Sequence, residues 1–395
     1  SNGTSAVAGN VFMIKPQVVS VSPTSGTVGT IVTVNSTGYA ASETITVAFG
    51  TNSNIRQSVV GSYGSFSTTF TIDTQVYGTC TIVVSGISSA SNRFIIKPSL
   101  FMVSPTNGSV GTMVSIAGAG YAATDAVTIV FGNKSNMAAT TANASGFFSL
   151  NFTVDTQVYG TKTIMATGAS STSAVNIFGI IPEIYRVTPI SGTVGTRVTI
   201  NGSGYGKYDP MTFEFGNNTN ITTSVFADIN GLFTASFVVD TQSYGITTIR
   251  AKGSFSTTAM NTFFIEPQVV SVLPTSGTVG RVITVTGTGY AVNDNLTIAF
   301  GINTNIRQAS AGSNGSFSLT FTVDTQVFGT TTIAVVGAAT AYNRFIVGPA
   351  IYSVIPVSGT VGTVVTISGN GYAAGDAITV AFGTNVGIQT AVADQ

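Results

Sequence analysis

Fourteen carboxylates, fourteen Lys or Arg side chains, one cysteine and no histidine are all that this 395-residue chain offers to acid–base, nucleophilic or metal chemistry. Without histidine, neither a Ser–His–Asp nor a Cys–His constellation can be assembled. Zinc sites of the Cys/His kind fall for the same reason. The glycine-rich run "SGTVGT" lacks the Lys-Ser/Thr ending of a phosphate-binding loop and opens no helix, so it reads as a turn. The chain carries no candidate catalytic, cofactor-binding or metal residue and is read as a non-enzyme.

The acids that do occur sit in register. Glu43, Asp125, Asp209, Asp294 and Asp376 each follow a recurring tyrosine by four residues. Calcium wants six to eight oxygen ligands, several of them carboxylates, whereas the first stretch of chain offers only Glu43 and Asp73. A single recurring loop acid reads as a turn cap. Sugar platforms would want exposed aromatics, ideally Trp, of which there is none; carbohydrate or partner adhesion is left to loop tips. Cys80 lies in "GTCTIVV", and its counterparts Lys162, Thr247 and Thr331 mark the position as outward-facing. It is therefore read as an exposed thiol and a candidate for an intermolecular bridge. Eleven Asn-x-Ser/Thr sequons occur, the candidate glycosylation sites being Asn35, Asn151, Asn201, Asn217, Asn295 and Asn314, with further sequons at Asn2, Asn107, Asn133, Asn143 and Asn220. Asn151 is placed on the outward face of a strand by alternation.

What positions these residues is a repeat. "VSPTSGTVGT" at 21–30 returns as "VSPTNGSVGT", "VTPISGTVGT", "VLPTSGTVGR" and "VIPVSGTVGT", with anchor prolines Pro23, Pro105, Pro189, Pro274 and Pro356 spaced by 82, 84, 85 and 82 residues. Sixteen residues after each comes the landmark tyrosine: Tyr39, Tyr121, Tyr205, Tyr290 and Tyr372. A third block, "DTQVYG", opens at Asp73 and Asp155 and varies at Asp240 and Asp324. Fixed spacing across this many landmarks defines tandem units. They divide as 1–16, the last strand of a preceding repeat; 17–98, 99–182, 183–267 and 268–349, four full repeats; and 350–395, an incomplete fifth.

Each unit predicts about seven short strands, in the first roughly 17–21, 31–35, 44–49, 54–60, 66–72, 80–85 and 92–97. Turn-rich clusters punctuate them at sandwich spacing. In "GSFSTTFTI", Phe66, Phe70 and Ile72 share one face while Ser67, Thr69 and Thr71 share the other. "PTSG" carries turn chemistry. Asp73 and Tyr77 keep the spacing of a corner between the fifth and sixth strands, similar to the tyrosine corner of immunoglobulin-like sandwiches. Phe328 replaces that tyrosine in the fourth repeat, so a hydroxyl bond there is dispensable. On these motifs the chain resembles IPT/TIG-type immunoglobulin-like domains, which open with P-x-x-G-x-x-G-T-x-V-T-I-x-G-x-G-Y/F and run on to V-x-F-G. The resemblance covers essentially the whole chain. It implies an all-β tandem array of seven-stranded immunoglobulin-like β-sandwiches, in spacers and interaction modules of secreted or surface proteins. Repeats continue into one another without linkers, which predicts stiff stacking into an elongated rod longer than ~100 Å at ~3.3 Å per strand residue.

Charged residues make up 7% of the chain and net charge is zero, so neither nucleic acid nor an anionic membrane surface is an expected partner. No apolar run approaches a membrane span. A charge-poor array with Ile31, Met113 and Val282 facing outward predicts packing against other copies or further repeats of the same chain. The expected role is an extracellular or cell-surface structural subunit of a filament, sheath or surface layer. The alternative is the stalk of a large adhesin or secreted multidomain protein; a third class is an accessory region of a polysaccharide-degrading enzyme. Aligned on the first repeat, the stretch equivalent to 63–82 is what the two ends lack, so the termini are expected to be window edges within a longer run of the same repeat.

Overall fold

Pro23 sets the first decision of the fold. The structure, a computed structural model, describes residues 12–394; Asn2 and the rest of 1–11 lie outside the described residues, as does the side chain of Asn220. Residues 12–16 carry no strand. Strand β1 (Gln17–Ser22) then pairs antiparallel with β3 (Ile31–Thr37) and stops at Pro23. Proline has no N–H to give to a ladder, and the chain leaves that sheet there. After the cis Ser22–Pro23 bond it forms β2 (Ser25–Gly26), which joins the opposite sheet parallel to β8 (Ser89–Ile96). "PTSG" is thus more than the turn that its composition suggested; it carries the first strand from one sheet to the other. Gly26 is required there, since a Cβ would stand 2.6 Å from the Thr30 hydroxyl oxygen.

The remaining strands of the first repeat are β4 (Thr44–Phe49), β5 (Asn52–Val59), β6 (Ser65–Thr71) and β7 (Gly78–Ser85). They make two sheets, β1-β3-β6 and β2-β8-β7-β4-β5. The second and third repeats carry the same orders, and so does the fourth, where the counterparts of β3 and β7 are Val282–Thr288 and Gly329–Val336. Seven strands of useful length plus the two-residue switch strand give an immunoglobulin-like sandwich, repeated in tandem. The fifth set holds Ala350–Ile355, Thr366–Asn370, Ala377–Phe382 and Asn385–Val392 in two two-stranded ladders.

Alternation decides which side chains fill the space between the sheets. β6 buries Phe66 and Phe70 while Ser67, Thr69 and Thr71 are exposed. In the first repeat Phe49 meets Phe94 edge-on at 5.8 Å and Phe70 at 5.4 Å between ring centroids. Phe131 with Phe178 and Phe152, Phe215 with Phe263 and Phe237, and Phe300 with Phe345 and Phe321 repeat the triad at 5.2–5.9 Å. Each buried ring contributes roughly 1.5–3 kcal/mol by area and more through edge-to-face geometry. Together with Val32, Ile45, Ile82 and Ile96 these rings hold the first sandwich closed.

The chain divides into two compact units. The first runs to Pro182 and takes in Ser203–Lys207 and Ile229–Gly231; the second holds the remainder, Glu183–Gly202, Tyr208–Asp228 and Leu232 onward. Every contact described below lies inside one unit or the other.

Candidate functional site: the corner and the joint it makes

The "DTQ" corner is organised by its glutamine. Gln75 is buried, and its Nε2 donates to the Phe49 carbonyl at 3.3 Å and to Asp73 Oδ1 at 2.8 Å. Its Oε1 accepts from the Thr51 N–H at 3.2 Å, and Asp73 Oδ2 accepts from Asn52 Nδ2 at 2.8 Å. A single amide therefore ties the end of β4, the start of β5 and the corner itself. Gln157, Gln242 and Gln326 are likewise buried and donate to Phe131, Phe215 and Phe300 and to Asp155, Asp240 and Asp324. A buried amide left without partners would cost roughly 1–3 kcal/mol, which is why the whole set recurs together. Sequence reasoning passed over this glutamine in favour of the Tyr beside it. Its presence in all four "DTQ" blocks was the available signal.

Held in this way, the corner presents a main-chain donor. The Tyr77 N–H bonds to the Tyr121 carbonyl at 3.0 Å, and Tyr159 to Tyr205 at 2.9 Å, both within the first unit. In the second unit Tyr244 donates to Tyr290 at 3.0 Å and Phe328 to Tyr372 at 3.3 Å. The resemblance to a tyrosine corner is corrected in one respect: this corner residue acts through its backbone, and Phe328 serves as well as tyrosine. The hydroxyl tie belongs to the other landmark tyrosine, Tyr39 Oη donating to the Val84 carbonyl at 3.2 Å and Tyr121 Oη to Ala166 at 3.1 Å.

The receiving tyrosine is fixed on every side. Tyr121 is fully buried against Phe148, ring centroids 5.1 Å apart, and its N–H donates to the Gly146 carbonyl. Gly120 has φ +78° and lies so near the Lys97 carbonyl that a Cβ would come within 2.7 Å, so the incoming chain from the first repeat packs on a surface only glycine leaves open. Burial first, and the neighbouring Asp125 second, push the Tyr121 hydroxyl well above the ordinary tyrosine pKa; Tyr290 is raised in the same way, with Asp294 as its neighbour.

The recurring acids cap turns. Asp125 accepts the Ser170 N–H at 2.8 Å and the Ser171 hydroxyl, and Asp209 accepts the Phe255 N–H at 2.9 Å and the Ser256 hydroxyl. Glu43 takes the Ala40 and Ile87 N–H groups, and Asp294 takes that of Ala338. Among the described residues no group of three or more His, Cys, Asp or Glu stands close enough to hold a metal ion. No helix there is long and apolar enough to cross a membrane.

Cys80 is a correction. It is 8% exposed, on the same face of β7 as Ile82 and Val84, and belongs to the core of the first repeat. Thr247 and Thr331 are buried too. Their polarity suggested an outward position, but alternation along "CTIVV" places Cys80 with the apolar pair. Burial, with Asp73 second, raises the thiol pKa, so neither reactivity nor reach supports an intermolecular bridge. Of the sequons, Asn35 and Asn201 spend their amide N–H groups on Ser20 at 2.9 Å and Thr234 at 2.7 Å, while Asn151, Asn217, Asn295 and Asn314 are exposed.

No family model matches the chain, and no curated protein matches it. Among solved structures, a tetra-tandem repeat from the extending region of a large adhesion protein is 16% identical, covering 85% of this chain and 99% of that one, with a TM-score of 0.22. Invasin, a bacterial integrin-binding protein, is 12% identical over 87% and 82% at 0.23. The SGBP-B protein of a Bacteroides ovatus mixed-linkage glucan utilization locus is 13% identical over 86% and 98% at 0.22. At these identities and scores none bears on what this chain does; the immunoglobulin-like assignment rests on its own strand order.

Proposed function

We propose that the chain is a non-catalytic structural segment of an extracellular or cell-surface protein, a spacer built from immunoglobulin-like repeats of the IPT/TIG type. The observation that carries this is the main-chain bond from corner to landmark tyrosine, made four times with the same donor and acceptor positions. Glutamine, aspartate and glycine are spent on holding that joint and its turns, and among the described residues no group of three or more His, Cys, Asp or Glu accompanies them. Single-molecule stretching of the full chain tests it. A spacer gives discrete unfolding steps of equal length, about 300 Å for one repeat at ~3.6 Å per residue. One event for the whole chain, or extension without steps, would sink the reading.

A second reading has its own observation. Val19, Phe101, Val270 and Tyr352 occupy register shifts in the first strand of their repeats and are 53–66% exposed. A bulge re-aims a side chain, and these apolar ones recur at the same place on successive repeats. They favour association with further copies of the chain, as in a filament, sheath or surface layer. Sedimentation velocity at rising concentration distinguishes the two: a single species at high concentration favours the stalk-like spacer, and growing assemblies favour the subunit.

A further inference from the structure

The outward face of the three-stranded sheet is polar in the first, third and fourth repeats, and its side chains satisfy one another. Asn35 Nδ2 donates to Ser20 Oγ at 2.9 Å, and Asn201 Nδ2 to Thr234 Oγ1 at 2.7 Å. The hydroxyls of Thr199 and Ser236 meet at 2.9 Å and those of Ser271 and Thr286 at 2.7 Å. The second repeat, in the first unit, departs from this. Its sheet is made of Ser99–Ser104, Met113–Ala119 and Phe148–Thr153, three strands without a charged residue. Ala117 stands where the other full repeats have Asn35, Asn201 and Thr286, and Met102 is opposite it. Phe101 occupies the bulge beside Met102, is 58% exposed, and pairs with Phe147 at 6.3 Å between ring centroids. Ser115 lies opposite Asn151 and Ala117 opposite Ser149. Among the described residues the side chains of Ser115, Ser149 and Asn151 make no hydrogen bond. One repeat thus joins an outward aromatic pair to uncommitted hydroxyl and amide groups.

We infer that this face binds a neutral, extended saccharide chain, with the C–H side of a pyranose on Phe101 and ring hydroxyls at Ser115, Ser149 and Asn151. A bulge re-aims its side chain away from the ladder, which leaves the Phe101 ring available for stacking. The free polar groups require a ligand that is itself part apolar and part hydrogen-bonding. The absence of charge in the three strands gives an acidic or basic ligand no counter-ion. Size decides against a second copy of the chain as the occupant. Three strands ~4.8 Å apart and six residues at ~3.3 Å each make a face of roughly 300 Å². A stable protein interface takes ~800 Å² from each partner. A short run of sugar units fits the smaller area, and pyranoses with equatorial hydroxyls present the apolar ring faces that stacking needs.

Isothermal titration of the full chain with cellopentaose, a chitin pentamer and a galacturonate pentamer tests the inference. The protein is produced without N-glycosylation, so that Asn151 stays bare. At least one neutral pentamer is expected to bind in the millimolar range, with no dependence on added salt. Phe101→Ala is expected to lose roughly tenfold in affinity, and Phe101→Tyr, which restores the ring, to bind as the parent does. Asn151→Ala is expected to weaken binding severalfold. Phe101 is more than half exposed, so its variants leave the core intact; circular dichroism and the unfolding midpoint check it. Absence of binding by both neutral pentamers, or unchanged binding in Phe101→Ala, overturns the site. Tighter binding of the galacturonate pentamer overturns the neutral saccharide as its ligand. Sedimentation velocity under the same conditions separates the other use of this ring: assemblies that grow in the parent and vanish in Phe101→Ala, with no saccharide bound, assign it to contact between copies and overturn the proposal.

Discussion

The side-chain amide of Gln75 donates to the main-chain carbonyl of Phe49 at 3.3 Å while its oxygen accepts the N–H of Thr51, two residues further on. One side chain thereby closes the β4–β5 hairpin against the corner that precedes β7. Gln75→Leu keeps the volume and removes both bonds, stranding buried partners at roughly 1–3 kcal/mol. Hydrogen exchange should show Thr51 and Tyr77 amides losing protection together, with the fourth repeat unchanged. Protection that survives at Tyr77 would mean the corner is held by something else.

The joint itself separates hydroxyl from backbone. Tyr77→Phe is expected to leave unfolding within about 0.5 kcal/mol of the parent, as the natural Phe328 implies. Tyr77→Pro deletes the N–H that reaches Tyr121 and should uncouple the first two repeats, splitting one urea transition into two. Equal effects from both substitutions would refute a backbone joint.

Two landmark tyrosines make a matched pair. The Tyr121 hydroxyl donates to Ala166, whereas that of Tyr290 is buried without a partner. Tyr121→Phe should cost on the order of 1 kcal/mol in its repeat, while Tyr290→Phe should be neutral or stabilising because it removes an unsatisfied group. Chemical denaturation of both variants checks the ranking.

The same hydroxyls fix the alkaline limit of stability. Both pKa values are raised in the folded state, so the folded chain holds protons that the unfolded chain releases above its ordinary tyrosine value of 10.0. Their contribution is fully present below pH 10 and is lost as pH climbs from there toward the folded pKa. With no histidine to titrate, the unfolding midpoint should be flat between about pH 5 and 8. A phenolate absorbance that rises for Tyr121 before unfolding would contradict this.

Cys80 should resist thiol reagents in the native chain and react on denaturation, and non-reducing electrophoresis should show no disulfide dimer. Cys80→Thr, the residue of two other repeats, should change stability by no more than ~0.5–1 kcal/mol. Expressed where N-glycosylation operates, the exposed Asn151, Asn217, Asn295 and Asn314 should be the modified sites and Asn35 and Asn201 should stay bare; peptide mapping decides it.

Strand positions, core rings and turn acids could be read from the sequence because each follows from period-2 alternation or fixed spacing. Phe66, Phe70 and Ile72 needed nothing beyond parity. Cys80 was misplaced when the chemistry of Lys162 and Thr247 was weighed above that same parity. The switch at Ser25–Gly26 escaped because its partner, β8, lies some seventy residues away and two paired residues leave no periodic trace. The glutamine corner escaped for a related reason: its acceptors, the Phe49 carbonyl and the Thr51 N–H, are main-chain groups that every residue possesses.

A joint made of one peptide N–H and one peptide carbonyl recognises no particular side chain. Tyr77 and Phe328 are interchangeable to it, and so are the repeats that carry them. Duplicating or deleting a stretch of gene one repeat long would create a new junction that already fits, with no second change required. The number of repeats is thereby free to drift.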